Sequence, residues 1–172
     1  MNIQKFKFSL QAILLGFVLI SSCKKEDDVI EDELIAVAKA GQLTCKIDGK
    51  IYTHNGSGYV IDDNHSTVKA ENGSEQFSIN FYGMNEGDYT ISDGAKATGN
   101  VKLQYFSGED KVVYTAKSGT FKITKYQKTG GFKASGTFSG KFEKFINNTQ
   151  ATGTTIEVTD GSFTDITLFD VR

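Results

Sequence analysis

The chain has 172 residues, a formal net charge of −2 at pH 7, two cysteines, no proline and no tryptophan. Its 19 basic and 21 acidic residues are interspersed, without a basic stripe that could neutralise a phosphate backbone, so no nucleic-acid partner is expected. A chain of this length accommodates one domain with a sizeable core.

The first 22 residues have the pattern of a cleaved export signal. Lys5 and Lys7 make the start positive, and the apolar run 12–20 is far shorter than the roughly 20 residues that span a bilayer. The small residues Ser21 and Ser22 come directly before Cys23. We therefore predict a signal peptide over residues 1–22, and an uncleaved N-terminal helix is the alternative.

Residues 20–23, Ile-Ser-Ser-Cys, resemble a bacterial lipobox, in which the cysteine thiol is acylated and cleavage then leaves that cysteine as the first residue. The resemblance implies that Cys23 carries covalent lipid, and we expect no other cofactor. Stable attachment requires more than one acyl chain, because a single chain binds only marginally. Removal of residues 1–22 takes away Lys5 and Lys7 but no acidic residue, so the formal charge changes from −2 to −4.

The residues that follow the cysteine give a second indication of location. They are Lys24, Lys25, Glu26, Asp27 and Asp28. This acidic run resembles the export signal of Bacteroidetes-type lipoproteins that are sent to the outer face of the outer membrane. The resemblance implies an outer-membrane protein that faces the cell exterior. A periplasm-facing anchor, with the run serving only as a solvated tether, is the alternative.

Residues 23–40 are predicted to be a tether between the lipid and the folded domain. The stretch up to Glu33 is mostly charged and cannot bury itself. Apolar residues then recur near helical spacing, which allows a short helix over about 29–39.

Residues 41–172 have the composition of one all-β domain. Gly, Thr and Ser are mixed with β-branched and aromatic residues that alternate with period two. Turn signals occur at 48–49, 55–56, 62–64, 72–73, 85–87, 93–94, 108–110, 129–131 and 160–161. They divide the domain into about ten strands. We expect an antiparallel β-sandwich or a flattened β-barrel with mainly meander connections, and the open sandwich is slightly favoured.

The C-terminal strands give the clearest pattern. In residues 132–142 one face alternates aromatic residues with glycine or alanine and the other face is polar, which indicates a sheet packed on one side. The phrase Gly-(Thr/Ser)-Phe occurs at 119–121, 136–138 and 161–163 and predicts three successive antiparallel strands. Strict alternation places Asp165 on the same face as Phe163 and Phe169. We therefore predict a β-bulge between these two phenylalanines, and a last strand that is apolar on both sides is the alternative.

Several short motifs, taken in order, resemble an uncharacterised family of Bacteroidetes-type lipoproteins. They are Cys45-Lys-Ile-Asp-Gly-Lys50, the Gly-Asp-Tyr-Thr-Ile of 87–91, the Ser-Gly-Thr-Phe of 135–138 and the Asp-Gly-Ser-Phe of 160–163. The resemblance covers about residues 41–170 and supports the location and the β fold. The chain departs from the family at Gln127, where relatives tend to have an acidic residue, and at Ser162, where they often have arginine. The family carries no established activity.

No catalytic or metal-binding residues are expected. Cys45 alternates with Leu43 and Ile47, so it should point into the core as a small hydrophobic residue. The only histidines, His54 and His65, do not have the spacing of a zinc site. The run 62–66 around His65 could orient an imidazole with carboxylates or bind calcium, but such runs are more often turns. No nucleophile elbow, phosphate loop or Cys-x-x-Cys motif occurs.

A non-catalytic binding or accessory module is the favoured functional class, with a glycan, a peptide or an envelope protein as ligand. The ligand-binding residues cannot be assigned from sequence. Exposed aromatic residues are the candidates, although they could instead cover sheet edges. They are Tyr52, Tyr59, Tyr82, Tyr105, Tyr114 and Tyr126. The alternatives are an envelope interaction protein without a small ligand and a lipocalin-like carrier of an apolar molecule.

Overall fold

The computed structural model describes residues 37–94, 96–108, 112–146 and 150–172. The predicted signal peptide, Cys23, residues 24–28 and most of the possible helix over 29–39 lie outside these residues. The described part of that segment, residues 37–39, has no regular secondary structure. In the part of the chain that the structure describes, no helix is long and apolar enough to cross a bilayer.

The described residues form ten β-strands, so the predicted class and strand number are confirmed. In chain order they are β1 (Gln42–Ile47), β2 (Lys50–Val60), β3 (His65–Asn72), β4 (Glu75–Tyr82), β5 (Gly87–Asp88), β6 (Thr90–Ile91), β7 (Asn100–Ser107), β8 (Val112–Gln127), β9 (Phe132–Ile146) and β10 (Gln150–Asp170).

Eight of these strands close into a ring. Going around it, the order is β1, β2, β3, β4, β7, β8, β9 and β10, and β10 pairs with β1. Neighbouring strands in this order are antiparallel, and the connections are mainly meanders, as predicted. Of the two architectures that the sequence leaves open, the chain therefore forms the barrel-like one and not the slightly favoured open sandwich.

The two shortest strands fill a gap between β7 and β8. Those two long strands pair directly only over Gln104–Ser107 and 112–115. Farther along, β6 pairs in parallel with β7 and β5 pairs with β8. The segment from β5 to β6 therefore completes the wall at one end, which we call the closed end. The opposite end, which carries the turn at Asp48–Gly49, is called the mouth end.

Most of the predicted turns fall at or between strand ends. The two-residue turn Asp48–Gly49 joins β1 to β2 with φ angles of 46° and 79°, the left-handed conformation that such hairpins require. The turns predicted at 62–64, 72–73, 85–87, 93–94 and 129–131 also agree with the strand bounds. In the turn predicted at 108–110, residues 109 and 110 lie outside the described residues.

Two predicted turns are wrong, because long strands pass through them. Residues 55–56 lie inside β2, at the point where this strand stops pairing with β1 and begins to pair with β3. A Cβ atom on Gly56 would lie 2.5 Å from Cδ1 of Ile166, so a larger residue there would displace that side chain. Residues 160–161 lie inside β10, where Asp160 has a φ of 52° and the pairing with β9 shifts by a bulge.

The repeated Gly-(Thr/Ser)-Phe phrase lies on β8, β9 and β10, which are successive antiparallel strands as predicted. Phe163 pairs with Gly136, and Phe138 pairs with Gly161. A Cβ atom on Gly136 would lie 2.6 Å from Cζ of Phe163. Each aromatic ring therefore covers a glycine on the neighbouring strand, which explains why this face alternates large with very small residues.

The bulge predicted around Asp165 is confirmed. The pairing of β10 with β9 shifts between Phe163 and Ile166, and Asp165 has a φ of 47°. The shift turns Ile166 and Leu168 into the core, although Phe163 before them is also buried. It leaves Phe169 on the outside, 56% exposed.

The middle of the barrel is filled by side chains. Its largest fully buried residues are Phe77, Phe81, Phe121, Phe142, Phe163, Leu43, Ile79, Leu103, Ile123 and Ile166. The phenylalanine rings of the core are in contact, and the centroids of Phe77 and the nearly fully buried Phe138 are 5.0 Å apart. Burial of each such side chain stabilises the fold by roughly 1.5–3 kcal/mol. Because the middle is packed, sites for ligands are to be sought at the ends and on the outer face.

Candidate functional site

The barrel interior opens to solvent at the mouth end as a cavity of about 450 Å³. This volume is within the range typical of small-molecule sites. Strands β1, β2, β4, β7, β8 and β10 all contribute to its wall. We call this cavity the tyrosine mouth, and its main lining residues are Ile47, Lys50, Tyr52, Glu75, Tyr105, Tyr114 and Ile156.

Three buried tyrosines form one side of the tyrosine mouth. Tyr105 and Tyr114 are directly paired residues of β7 and β8, and their rings stack with centroids 6.2 Å apart. Tyr52 of β2 meets Tyr105 edge to face at 6.0 Å. The contact forms because period-two alternation turns all three side chains to the inner face. The rings hold one another in place and line the cavity.

The hydroxyl groups of two of these tyrosines are fixed by hydrogen bonds. Tyr105 Oη donates to Glu75 Oε1 at 2.7 Å. Tyr52 Oη donates to the carbonyl of Ala70 at 2.8 Å, and Ala70 belongs to the last residue pair of β2 with β3. Burial raises the pKa of Tyr52, and burial together with the hydrogen bond to Glu75 raises the pKa of Tyr105. Both phenols therefore act as neutral donors at physiological pH.

Cys45 lies beside Tyr52 on the neighbouring strand, below the tyrosine mouth. It is fully buried and unpaired with any other cysteine, in the inward position that the sequence predicts. Burial raises the pKa of its thiol to about 12. The thiolate is the reactive form of cysteine, so this thiol is chemically inert at neutral pH.

The rim of the tyrosine mouth carries charges of both signs. Glu75 and Asp48 contribute carboxylates, and Lys50 contributes an ammonium group. Asp48 is held rigidly, because its carboxylate accepts from Glu157 N at 2.8 Å and its own N–H donates to Glu157 O at 2.9 Å. Such a rim can bind a polar ligand through both donors and acceptors.

The closed end uses tyrosines differently. Tyr126 Oη and Ser66 Oγ share a hydrogen bond of 2.9 Å inside the core. Phe81 packs edge to face against both Tyr126 and Tyr89, at 6.0 Å and 6.1 Å. Tyr89 Oη donates to the carbonyl of Asn85 at 2.8 Å. These side chains plug the barrel at this end.

The last two candidate tyrosines lie on the outer face. Tyr59 is 37% exposed and packs against Phe169 with a centroid distance of 6.1 Å. Tyr82 stacks on the ring of His65 at 4.6 Å. The six tyrosines are therefore divided among three places, with three at the mouth, one at the closed end and two outside.

Residues 62–64 of the run 62–66 form a turn, residues 65 and 66 begin β3, and the carboxylates of the run are bonded to groups other than the imidazole. Asp62 Oδ1 accepts from Asn64 N at 2.8 Å, as in an Asx-turn. Asp63 pairs with Arg172 at 2.6 Å. Among the described residues, no group of three or more His, Cys, Asp or Glu side chains is arranged to hold a metal ion.

Sequence reasoning missed Glu75 as a site residue. Glu75 has the same period-two register as Phe77, Ile79 and Phe81 on β4, so it was the one carboxylate in a row of inward apolar residues. That signal could have identified it. The predicted lipid and export residues, Cys23 and 24–28, lie outside the described residues.

Comparison with protein-family models gives one match. A model of DUF6252, described as a domain of unknown function, matches residues 40–167. The chain belongs to this family. A search of curated proteins and a search of solved structures find no match. The DUF6252 segment begins at Ala40, which bridges to Thr164, and it includes β1 to β9 and most of β10. It thus contains the whole tyrosine mouth.

Proposed function

We propose that this protein is a lipid-anchored module of the outer membrane that captures a polar ligand in the tyrosine mouth and does not transform it. The observation that carries the proposal is the open cavity of about 450 Å³ in which Tyr105 holds the carboxylate of Glu75. The cavity lies at the end of a filled barrel, so a ligand would bind at the rim and not deep inside. The packed interior favours capture over the lipocalin-like carrier.

The groups around the cavity suit binding better than catalysis. The thiol of Cys45 stays neutral and buried, and the phenols of Tyr52 and Tyr105 already donate to protein acceptors. Glu75 retains a second carboxylate oxygen with which to accept hydrogen bonds from a ligand. We therefore propose a non-catalytic role, in line with the sequence pattern.

The capture function can be tested with the full chain purified in detergent and a panel of glycans and peptides. Glu75→Gln removes the charge that a ligand would use, and a hydrogen bond to a charged group contributes about 1.5–3 kcal/mol. We expect the affinity for the captured ligand to fall roughly 10- to 100-fold. Asp88→Asn, the same change on exposed β5 at the closed end, is the control. If the ligand binds the Glu75→Gln variant as tightly as it binds the unchanged protein, the tyrosine mouth is not its binding site.

The anchor is supported by the lipobox-like residues 20–23 and the acidic run at 24–28. Cys23→Ala should release the protein from the membrane fraction, while Cys45→Ala, the other cysteine, should not. Retention of the Cys23 variant after a carbonate wash would contradict the anchor. Surface protease on intact cells should digest the domain if it faces outward, and full protection would place it in the periplasm.

An exposed apolar cluster supports a second candidate function, an envelope interaction protein without a small ligand. The outer face carries Tyr59, Ile61, Phe169 and Val171, which are 37–56% exposed on the paired ends of β2 and β10 and just beyond them. Clustered exposed apolar residues often mark protein contacts. Phe169→Ser would weaken cross-linking to an envelope protein in cells if this function holds. Unchanged cross-linking would speak against it.

A further inference from the structure

A second cavity lies directly beside the tyrosine mouth. It measures about 380 Å³ and is lined by Asp48, Lys141, Thr155, Ile156 and Glu157, and we call it the outer cleft. Asp48 and Ile156 also line the tyrosine mouth. The two cavities are therefore neighbours that share Asp48 of the turn and Ile156 of β10.

The wall between the two cavities is rigid. The backbone N–H and the carboxylate of Asp48 both bond to the backbone of Glu157, at 2.9 Å and 2.8 Å. Next to it, the pairing of β10 with β9 is interrupted between Ala151 and Thr155. The outer cleft is thus a fixed feature beside an irregular stretch of strand. The side chains of Lys141 and Glu157 are exposed there and take no part in holding Asp48.

We propose that the tyrosine mouth and the outer cleft are two subsites for one chain-like ligand, a neutral oligosaccharide that crosses the Asp48–Gly49 turn. The inference rests on the proposed capture function and specifies its ligand. A single sugar would occupy the tyrosine mouth, and a longer chain would also reach the outer cleft.

The charges in both cavities favour a neutral ligand. Each cavity has one ammonium group, from Lys50 or Lys141, and two carboxylates, from Asp48 together with Glu75 or Glu157. A polymer of either charge would therefore meet a like charge in each cavity. Sugar hydroxyls both donate and accept, and they can use the ammonium and the carboxylate together. Ile156, shared by the two cavities, offers an apolar surface for the C–H face of a sugar ring.

The strand pairing disfavours an extended peptide as ligand. Peptides of that kind commonly bind by adding a strand to a free sheet edge. Here β10 has β9 on one side, and on the other side β1 pairs with it only from Val158 on, while Asp48 bonds to the backbone N–H and carbonyl of Glu157. The edge of β10 before Glu157 is short and interrupted by the register shift between Ala151 and Thr155, so it is a poor place to add a strand. The peptide is therefore an outcome of the test and not the expected ligand.

The test measures affinity against ligand length. The full chain in detergent is titrated calorimetrically with neutral oligosaccharides of one to six sugar units, chosen from a glycan panel, and with peptides and charged polysaccharide fragments. Two linked contacts bind with a high effective concentration. We expect the affinity to rise about 10-fold or more from short to long members of the series, which corresponds to about 1.4 kcal/mol.

Two variants assign that rise to the outer cleft. The double change of Lys141→Gln with Glu157→Gln should reduce the affinity for long chains to that for short ones and leave short chains unaffected. Lys122→Gln, an exposed lysine on β8 away from both cavities, is the matched control and should change neither. Glu75→Gln should weaken short and long chains alike.

The outcomes separate this inference from the proposed function. If binding requires Glu75 but does not depend on ligand length, the outer cleft is not a second subsite, and the proposed capture at the tyrosine mouth still holds. Binding of peptides or charged fragments alone, or of no panel member, overturns the oligosaccharide assignment. Binding that is insensitive to Glu75→Gln overturns capture in the tyrosine mouth itself.

Discussion

At the closed end of the barrel the hydroxyl of Tyr126 meets Ser66 inside the core, whereas at the mouth the hydroxyl of Tyr105 meets Glu75 beside an open cavity. Both ends place tyrosines on the inner face of antiparallel strands. At the closed end the segment from β5 to β6 adds Tyr89, which packs against Phe81. The same residue type thus seals one end and lines an open cavity at the other, depending on what the neighbouring strands add.

If the proposed capture function holds, the comparison predicts that stability is concentrated at the closed end and ligand recognition at the mouth. Phe81 and Ser66 are fully buried, whereas Ile156 at the mouth is only half-buried. The side chain of Ile156 can therefore change with less effect on folding than that of Phe81. This division is what the following experiments test.

The largest expected effect is that of truncating the closed end. Phe81→Ala removes a fully buried ring that contacts Tyr89, Phe121 and Tyr126, and it should destabilise the protein by about 3–5 kcal/mol. Ile156→Ala at the mouth should lower the free energy of unfolding far less, because solvent already reaches that side chain. Urea unfolding of the two variants measures the difference. Equal losses would mean that the mouth is as important to stability as the closed end.

The second effect is a pH dependence that arises at the mouth. The pKa of Cys45 is raised from 9.0 to about 12 by burial, so folding keeps the thiol neutral. Its stabilising contribution is therefore complete below pH 9 and is lost as the pH rises from 9 towards 12, at up to about 1.4 kcal/mol per pH unit.

The measurement is urea unfolding between pH 8 and pH 10.5, roughly the lower half of that window. Tyrosines with raised pKa values titrate in the same range, so the quantity of interest is the difference between the protein and its Cys45→Ala variant. We expect the gap in unfolding free energy to shrink as the pH rises. A gap that stays constant would show that the thiol ionises as readily in the folded state as in the unfolded one.

How far the sequence predicts this molecule depends on the range of the interactions involved. The bulge at Asp165 could be predicted, because it follows from the local order of polar and apolar residues along one strand. The residues 55–56 look like a turn for equally local reasons. They lie inside β2 because a change of partner strand and the approach of Ile166 decide their conformation. Both are contacts between residues that are far apart in the sequence, and a local sequence pattern does not predict them.

In the candidate site, too, some residue positions follow from local sequence pattern and others depend on long-range contacts. The inward register of Cys45 is readable from its neighbours and is confirmed. The grouping of Tyr52, Tyr105 and Tyr114 depends on the closure of the ring between β7 and β8. From sequence these tyrosines could not be told apart from Tyr59, which lies on the outer face. The order of strands around the ring was needed to separate them.

A third experiment compares the two tyrosine hydroxyls. Tyr126→Phe leaves Ser66 Oγ without its partner in the core and should destabilise the protein by about 1–2 kcal/mol. Tyr105→Phe should have a smaller effect on stability, since water can replace the phenol at Glu75, but it should weaken ligand binding. Thermal unfolding and ligand titration of both variants provide the two readouts. A Tyr126 variant that loses ligand affinity as strongly as the Tyr105 variant would argue against the separation of roles.

The smallest expected effect concerns Arg172 at the closed end. Its guanidinium pairs with Asp63 and Asp170, each at 2.6 Å, and lies 5.3 Å from the ring centroid of Phe132. These groups are exposed to solvent, so salt screens the ion pairs, and at 1 M salt the Debye length is only about 3 Å. Arg172→Met should lower the melting temperature slightly in dilute buffer. In 1 M salt the difference in melting temperature between the protein and this variant should become smaller.

Any difference in melting temperature between the protein and its Arg172→Met variant that persists in high salt would report the contact with Phe132. Packing and cation–π attraction are screened less than separated charges. Lys50→Met at the mouth, also a change of an exposed cation to an apolar side chain, is the control. Lys50 faces an open cavity, so its replacement should leave the melting temperature unchanged at either salt concentration. If Lys50→Met were instead the more damaging change, charged groups at the mouth would stabilise the fold. The proposed division, with stability concentrated at the closed end and ligand recognition at the mouth, would then be wrong.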